Sequence, residues 1–554
     1  VERVFSNVGV TLGSMLLAGM LCLPTIVIFA HLFIPMEEVW RHLLDTVLVR
    51  YITNTVFLAL GVGMIGLIVG TLTGWLSANF EFPGQRLLHW ALLLPLAVPT
   101  YATAFSYGGL CEFSGPIQTT LRDIFGWNKG DYWFPEVRSI GGAIFVMSFV
   151  LYPYVYLLGR AAFVGQARNY DDSARVLGRS SWGILRDISF PLARPSLIAG
   201  LALMLMEALS DFGAVQYLAV DTFTTGVYRT WFALGSPEGA ARLASMLLLI
   251  IFLILLIEQR SRGQARYYQV TGRSHLKEKF QLVGLKGISA TFICSIPVFL
   301  GFILPVGYLL FLSLPAWAVM MGDRFVEHLW NSFSLAALTS LLAMIFALFL
   351  VYSVRMGAGP LNTIFCRIIS LGYGFPGSVI AIGVLIPMAW LDYRIDDFTR
   401  NAFGASTGLI LTGGMAVVIF AYLVRFMALG LHSLQSSMEL LAPNLDSAAQ
   451  TLGANWWRRL SSIHIPLMTG GLLTGALLVF VDVMKELPAT LILRPFNYDT
   501  LAVKAYELAS DEALAASGCY ALTIVAVGLI PVILISRSVE TSGPYVTKAR
   551  REDE

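Results

Sequence analysis

A chain of 554 residues in which 56% are hydrophobic and 13% charged, with a mean hydropathy of +0.72, lies far from the roughly 25% charged content of soluble domains. Those values exclude an ordinary soluble globular protein and point to a chain that crosses a membrane many times. A formal net charge of +2 at pH 7 offers no basic surplus for nucleic acid, so no nucleic-acid partner is expected and the lysines and arginines read as topology signals.

Apolar runs of about 20 residues, the length that spans a bilayer, fall near residues 11–33, 52–76, 88–110, 139–165, 195–220 and 240–257. A second set falls near 288–313, 330–354, 364–390, 406–430, 468–493 and 515–536. Lipid offers no hydrogen bonds to the backbone, so each run should be a helix. The expected fold is an all-α polytopic membrane protein with about twelve transmembrane helices in two six-helix repeats. The first run is long and lacks a small-residue cleavage site, so it should remain as the first helix. Basic loops stay cytoplasmic. The stretch between the sets carries Arg260, Arg262, Arg266, Arg273, Lys277, Lys279 and Lys286, and with twelve spans both termini share its side. The expected division is therefore 1–258 as the first repeat, 259–286 as a cytoplasmic linker, 287–540 as the second repeat and 541–554 as a cytoplasmic tail. Cys22, Cys111, Cys294, Cys366 and Cys519 show no metal or redox spacing and read as small packing residues.

One polar pattern occurs twice, 275 residues apart. The first copy has Asp171, Asp172, Ser173, Ala174, Leu177 and Gly178, then Trp182, Leu185, Ile188 and Pro191. The second has Asp446, Ser447, Ala448, Ala449, Leu452 and Gly453, then Trp457, Leu460, Ile463 and Pro466. A helical turn, a glycine where the chain reverses and a second turn with Trp, Leu and Ile three residues apart should expose a short apolar stripe. An amphipathic helix resting on headgroups would do the same. Lipid, however, requires no fixed glycine-to-proline distance, so docking onto a partner is the better reading.

Further correspondences link the halves. Asn54-Thr55 matches Asn331-Ser332, and Pro99 matches Pro376, at an offset of 277; Glu207, Asp211, Ala214 and Thr225 match Asp482, Glu486, Ala489 and Thr500 at 275. An even number of spans in each half makes the repeats parallel, related by an axis along the membrane normal.

The two loops resemble the "EAA" motif of permease subunits of bacterial binding-protein-dependent ABC importers, departing at the acidic position, which is Asp172 in one and Ser447 in the other. The resemblance covers nearly the whole chain as two fused units. It implies a type I importer permease in the bacterial cytoplasmic membrane, surrounded by lipid, with one fused copy per complex. In such a permease Asp171, Asp172, Ser173, Ala174, Gly178, Trp182 and Pro191, with Asp446, Ser447, Ala448, Ala449, Gly453, Trp457 and Pro466, form coupling helices that enter clefts of an ABC ATPase dimer. The stretch from Lys485 to Leu491, continuing through Arg494 to Ala502, resembles the fused permeases of ferric-iron importers. That implies a periplasmic ferric-iron-binding protein as a further partner. The chain has no Gly-x-x-x-x-Gly-Lys-Ser/Thr phosphate loop, so no cofactor is expected on it, and ATP and Mg²⁺ are expected on the partner subunit. No nucleophile, metal-ligand or cofactor constellation suggests an enzyme.

Acids in spans are costly and mark pathways. Glu207 and Asp211 are four residues apart, as are Asp482 and Glu486, which places each pair on one helical face. If these helices face each other, the four carboxylates form a transient path for a hard cation such as iron(III); capping of helix ends is the alternative role. Pro95, Pro99 and Pro376 could break helices around a cavity, but packing or a kink is the preferred reading for them, and Arg425 reads as a snorkelling anchor. Import of thiamine or polyamine, and an ion-coupled secondary transporter, are the competing functions.

Overall fold

The computed structural model describes residues 2–33, 38–128, 130–166, 176, 178–262, 279–356, 360–442 and 444–541. Among these, nine helices are long and apolar enough to cross a membrane: Gly9–Phe33, Leu48–Asn79, Arg186–Ser210, Pro237–Ser261, Leu285–Ser313, Asp323–Arg355, Gly377–Phe403, Met415–Glu439 and Leu514–Pro531. Three bent helix pairs are apolar enough to qualify together: Gln85–Ala97 with Thr100–Phe125 (92°), Ile140–Leu151 with Pro153–Val164 (41°), and Trp456–Leu467 with Thr469–Met484 (74°). With each pair taken as one span there are twelve, in the order that the apolar runs give. The single sheet among the described residues is a two-residue parallel pair, Phe80–Glu81 with Phe280–Gln281.

Two prolines break helices outright, which corrects their reading as packing or kink residues. Pro99 (φ −59°, ψ 138°) and Pro376 (φ −59°, ψ 139°) directly precede the helices Thr100–Cys111 and Gly377–Phe403. A proline has no N–H to donate and its ring excludes the carbonyl four residues back. The helix therefore stops and restarts, with the same backbone geometry in both halves.

The second span shows how one helix serves lipid and protein. Phe57, Leu60, Met64 and Ile68 are 60–65% exposed and form one stripe, a surface that would drive aggregation in water. Gly66, Gly70 and Gly74 lie on another face, where small residues let backbones approach. A methyl group at Gly70 would sit 2.6 Å from Val155 Cβ and 3.0 Å from the Tyr152 carbonyl oxygen. Gly70→Leu is therefore expected to cost about 1–3 kcal/mol by overpacking, read as a lower unfolding temperature in detergent. Gly307→Leu, where a side chain would meet open space, serves as the unaffected control.

The helices gather into two compact units, and neither follows one half of the sequence. One holds the described residues of 1–45, 226–246 and 318–504; the other holds those of 46–225, 247–317 and 505–554. Within the first unit, the span Gly9–Phe33 packs on Gly377–Phe403, where a methyl at Gly383 would lie 2.6 Å from the Pro24 carbonyl oxygen. Within the second, Tyr107 Oη donates to the Leu300 carbonyl (2.8 Å) and Ser106 Oγ to that of Pro305 (3.1 Å), joining Thr100–Cys111 to Leu285–Ser313. Of the stretch 259–286, residues 263–278 lie outside the described residues. At its end Lys279 Nζ donates to the Ser77 carbonyl at 3.2 Å.

Candidate functional site

The second polar motif folds as a helix, Asn444–Thr451, followed by a sharp reversal. Ala454 N–H donates to the Ala449 carbonyl (2.9 Å) and Gly453 N–H to that of Gln450 (3.0 Å). This Schellman pairing needs a left-handed residue, and Gly453 has φ +79°. Asn455 then caps the next turn, its Oδ1 accepting from Arg458 N–H at 2.8 Å. A wide π turn, Leu460–His464, precedes Pro466.

Asp446 anchors this motif inward. Its carboxylate accepts from Arg355 Nε (2.7 Å) and His464 Nε2 (3.0 Å), with Arg459 Nη1 at 3.7 Å. Arg355 also donates to the Leu441 and Ala442 carbonyls, at 3.1 and 3.2 Å. Three residues earlier on the same span, Tyr352 Oη donates to the Trp456 carbonyl at 2.9 Å. The end of Asp323–Arg355 thus grips both ends of the motif. Ala449 is buried, whereas Ser447, Ala448, Leu452, Trp456 and Trp457 are exposed. The exposed apolar set differs from the expected stripe of Trp457, Leu460 and Ile463, because Leu460 is only 8% exposed: the wide turn rotates it inward.

In the first motif Asp171, Asp172, Ser173 and Ala174 lie outside the described residues. Gly178 has φ +78°, Trp182 falls in the short helix Ser181–Ile184, a π turn covers Leu185–Ser189 and Pro191 follows. Left-handed glycine, wide turn and proline therefore recur in register with Gly453, Leu460–His464 and Pro466. Proline cannot donate to the preceding turn, and the π turn absorbs the interruption.

The four span acids fall two to each compact unit, Glu207 and Asp211 in one, Asp482 and Glu486 in the other. Among the described residues no three His, Cys, Asp or Glu side chains are placed to share a metal ion. Asp211 lies just beyond Phe190–Ser210; its Oδ1 accepts from Ala214 N–H at 2.7 Å and its Oδ2 from Thr100 Oγ1. Glu486 lies just beyond Thr469–Met484; it accepts from Ala489 N–H (2.9 Å), Thr490 N–H (3.0 Å) and Thr490 Oγ1 (2.7 Å). Both acids cap the short helices that follow, Gly213–Tyr217 and Pro488–Leu493. Asp482 pairs with Lys485 at 2.8 Å, and Glu207 is half-buried.

Arg425 is no snorkelling anchor. It is 7% exposed and its Nη1 donates to Glu486 Oε1 at 3.1 Å. A buried guanidinium requires a partner, and Glu486 supplies it from 61 residues away. Gly377 leaves the room: a methyl there would press on Glu486 Oε1 and lie 2.7 Å from Arg425 Nη1.

Residues 66–260 and 355–546 each match the family described as the inner membrane component of binding-protein-dependent transport systems. The chain belongs to this family. The permease is 26% identical over 496 residues to an Fe(3+)-transport system permease protein, FbpB 2, of Haemophilus influenzae, covering 88% of this chain and 89% of that protein. It is 22% identical over 538 residues to the ferric transport system permease protein FbpB of Actinobacillus pleuropneumoniae, covering 93% and 74%. The sulfate transport system permease protein CysW of Escherichia coli is 27% identical over 273 residues, 47% of this chain but 89% of CysW. Two family matches on one chain, and a relative that aligns along most of its own length with less than half of this one, mark a fused pair of permease units in a type I fold. The permease is a multi-pass inner-membrane protein and a transport subunit rather than an enzyme.

Proposed function

We propose that this permease imports ferric iron, delivered by a periplasmic binding protein and driven by a separate ABC ATPase dimer that carries ATP and Mg²⁺. The solute assignment rests on the relatives that carry the ferric name and align over 88% and 93% of the chain. The drive rests on one observation, the recurrence of left-handed glycine, π turn and proline at Gly178 and Gly453. Asp171, Asp172, Ser173 and Ala174, with Ser447, Ala448, Trp457 and their neighbours, are the residues assigned to ATPase coupling. One fused copy supplies both coupling loops, which lie with the termini on the cytoplasmic side. ATPase closure moves the second loop, and Tyr352 and Arg355 pass that motion to their span. Glu207, Asp211, Asp482 and Glu486 are the carboxylates offered to the ion in passing, with no tight permanent site, because a conduit must also release what it carries.

The test is radiolabelled iron(III) uptake by vesicles holding the permease, ATPase and binding protein. A β-branched residue at positive φ is an outlier, and the left-handed conformation costs roughly 1–2 kcal/mol per position. Gly178→Val with Gly453→Val should therefore lower ATP-dependent uptake roughly tenfold or more with the protein still inserted. ATP-driven uptake of another solute alone defeats the iron assignment, and gradient-driven uptake without the ATPase defeats the importer class.

A further inference from the structure

Asn54-Thr55 and Asn331-Ser332 open the second span of each half, and neither coupling nor capping uses them. The structure gives them one shared task. Asn54 Nδ2 donates to the Asp221 carbonyl at 2.9 Å, and Thr55 Oγ1 accepts from Phe223 N–H at 3.3 Å. Asn331 Nδ2 donates to the Asp499 carbonyl at 3.2 Å, and Ser332 Oγ accepts from Leu501 N–H at 2.7 Å. In both halves an amide takes a backbone carbonyl, and the next hydroxyl takes the N–H two residues further on. Thr55 and Ser332 are 2% and 3% exposed, so these bonds form away from water, where an unmade one is costly.

The recognised segment closes an excursion between the fifth span and the helix after it, which begins at Phe223 in one half and at Leu501 in the other. Its near end is fixed by the capping acid, Asp211 or Glu486, and in the first half Thr224 Oγ1 also donates to the Asp211 carbonyl at 2.9 Å. We propose that each Asn-Thr/Ser pair is a backbone clip that positions this excursion, so that the excursion and the second span travel as one body during transport. The inference rests on the permease reading. Because the Asn-Thr/Ser pair holds only backbone atoms, it accepts Phe223 in one half and Leu501 in the other. The halves differ in reinforcement: Asp221 has Arg50 at 3.6 Å, whereas Asp499 is met by Arg494, by Lys504 at 2.9 Å and by His328 at 4.0 Å. Asn54→Ala should therefore harm transport more than Asn331→Ala.

Iron(III) uptake is measured with ATPase and binding protein present, normalised to inserted permease. Thr55→Ser keeps the hydroxyl that Ser332 supplies in the other half, so its rate stays within about twofold of wild type. Thr55→Val keeps the shape but loses the acceptor; its rate falls about tenfold, the equivalent of one hydrogen bond of roughly 1.4 kcal/mol. In a background with all five cysteines replaced, Asn54→Cys with Asp221→Cys is slow, and a short bifunctional thiol reagent restores uptake by replacing the lost bond. Crosslinked protein that stays inactive shows that excursion and span must part, and overturns the proposal; so does wild-type uptake by Thr55→Val. Hydrogen exchange decides the clip independently of the solute. Phe223 N–H should be protected in wild type and exchange fast in Thr55→Val; equal exchange overturns the clip even if the wild type proves not to carry iron.

Discussion

Arg425→Met should destabilise the permease by about 3–5 kcal/mol, because removing one partner strands a buried charge. The two side chains are almost wholly buried, so water cannot replace the guanidinium. The expected result is a sharply lower unfolding temperature in detergent. Glu486→Gln should cost about as much, since it strands the guanidinium and its amide offers one oxygen where the carboxylate took Ala489 N–H on Oε1 and Thr490 N–H on Oε2. Combining both changes should recover part of the loss of Arg425→Met alone, a coupling that a double-mutant cycle measures; strictly additive losses would show that the two side chains do not depend on each other. Gly377→Ala should mimic the defect without altering a charge, because its methyl would occupy the space beside Arg425 Nη1. The first half offers the contrast. Asp211 is held by Thr100 and Ala214 N–H, so Asp211→Asn should cost about 1 kcal/mol, one neutral-for-charged hydrogen-bond exchange.

The contrast between the acids also shows where sequence reasoning holds and where it stops. Apolar runs are local patterns, so the order of the nine long helices and three bent pairs was readable, as was the repeat that places Gly178 and Gly453 in register. The spacing of Glu207 with Asp211, and of Asp482 with Glu486, implied one helical face only while the helix continued. It ends at Ser210 and at Met484, so the second acid of each pair turns back to cap the next helix. Pro99 and Pro376 looked alike because they do the same thing, but a break and a kink differ in the surrounding backbone, not in the residue. Arg425 was misread because its partner lies 61 residues away, and its one local signal, Gly377, gains meaning only once three spans meet. The exchange of first spans between the compact units left no trace in composition, since an apolar helix carries no mark of which partner it packs against.

Asp446→Asn should separate ATP hydrolysis from transport. Asp446 joins the motif to its span through Arg355, with Arg459 and His464 closing round it, while Leu452, Trp456 and Trp457, on the face proposed to meet the ATPase, are exposed. Losing the charge weakens hydrogen bonds worth about 1.5–3 kcal/mol and leaves Arg355 and Arg459 without their shared anion. The docking face is untouched, so the ATPase should still bind and hydrolyse ATP at close to the wild-type rate. Motion of the coupling helix would no longer be passed on faithfully, and iron carried per ATP should fall about tenfold if roughly 1.4 kcal/mol of coupling is lost. Arg355→Lys tests the geometry: the charge remains, but a lysine cannot hold the carboxylate and the Leu441 and Ala442 carbonyls together, so it should be uncoupled in the same way. A variant that loses hydrolysis and transport in equal proportion would place Asp446 in the docking face instead. Tyr352→Phe removes only the bond to the Trp456 carbonyl and should give a smaller loss in the same ratio, because Arg355 still grips the start of the motif.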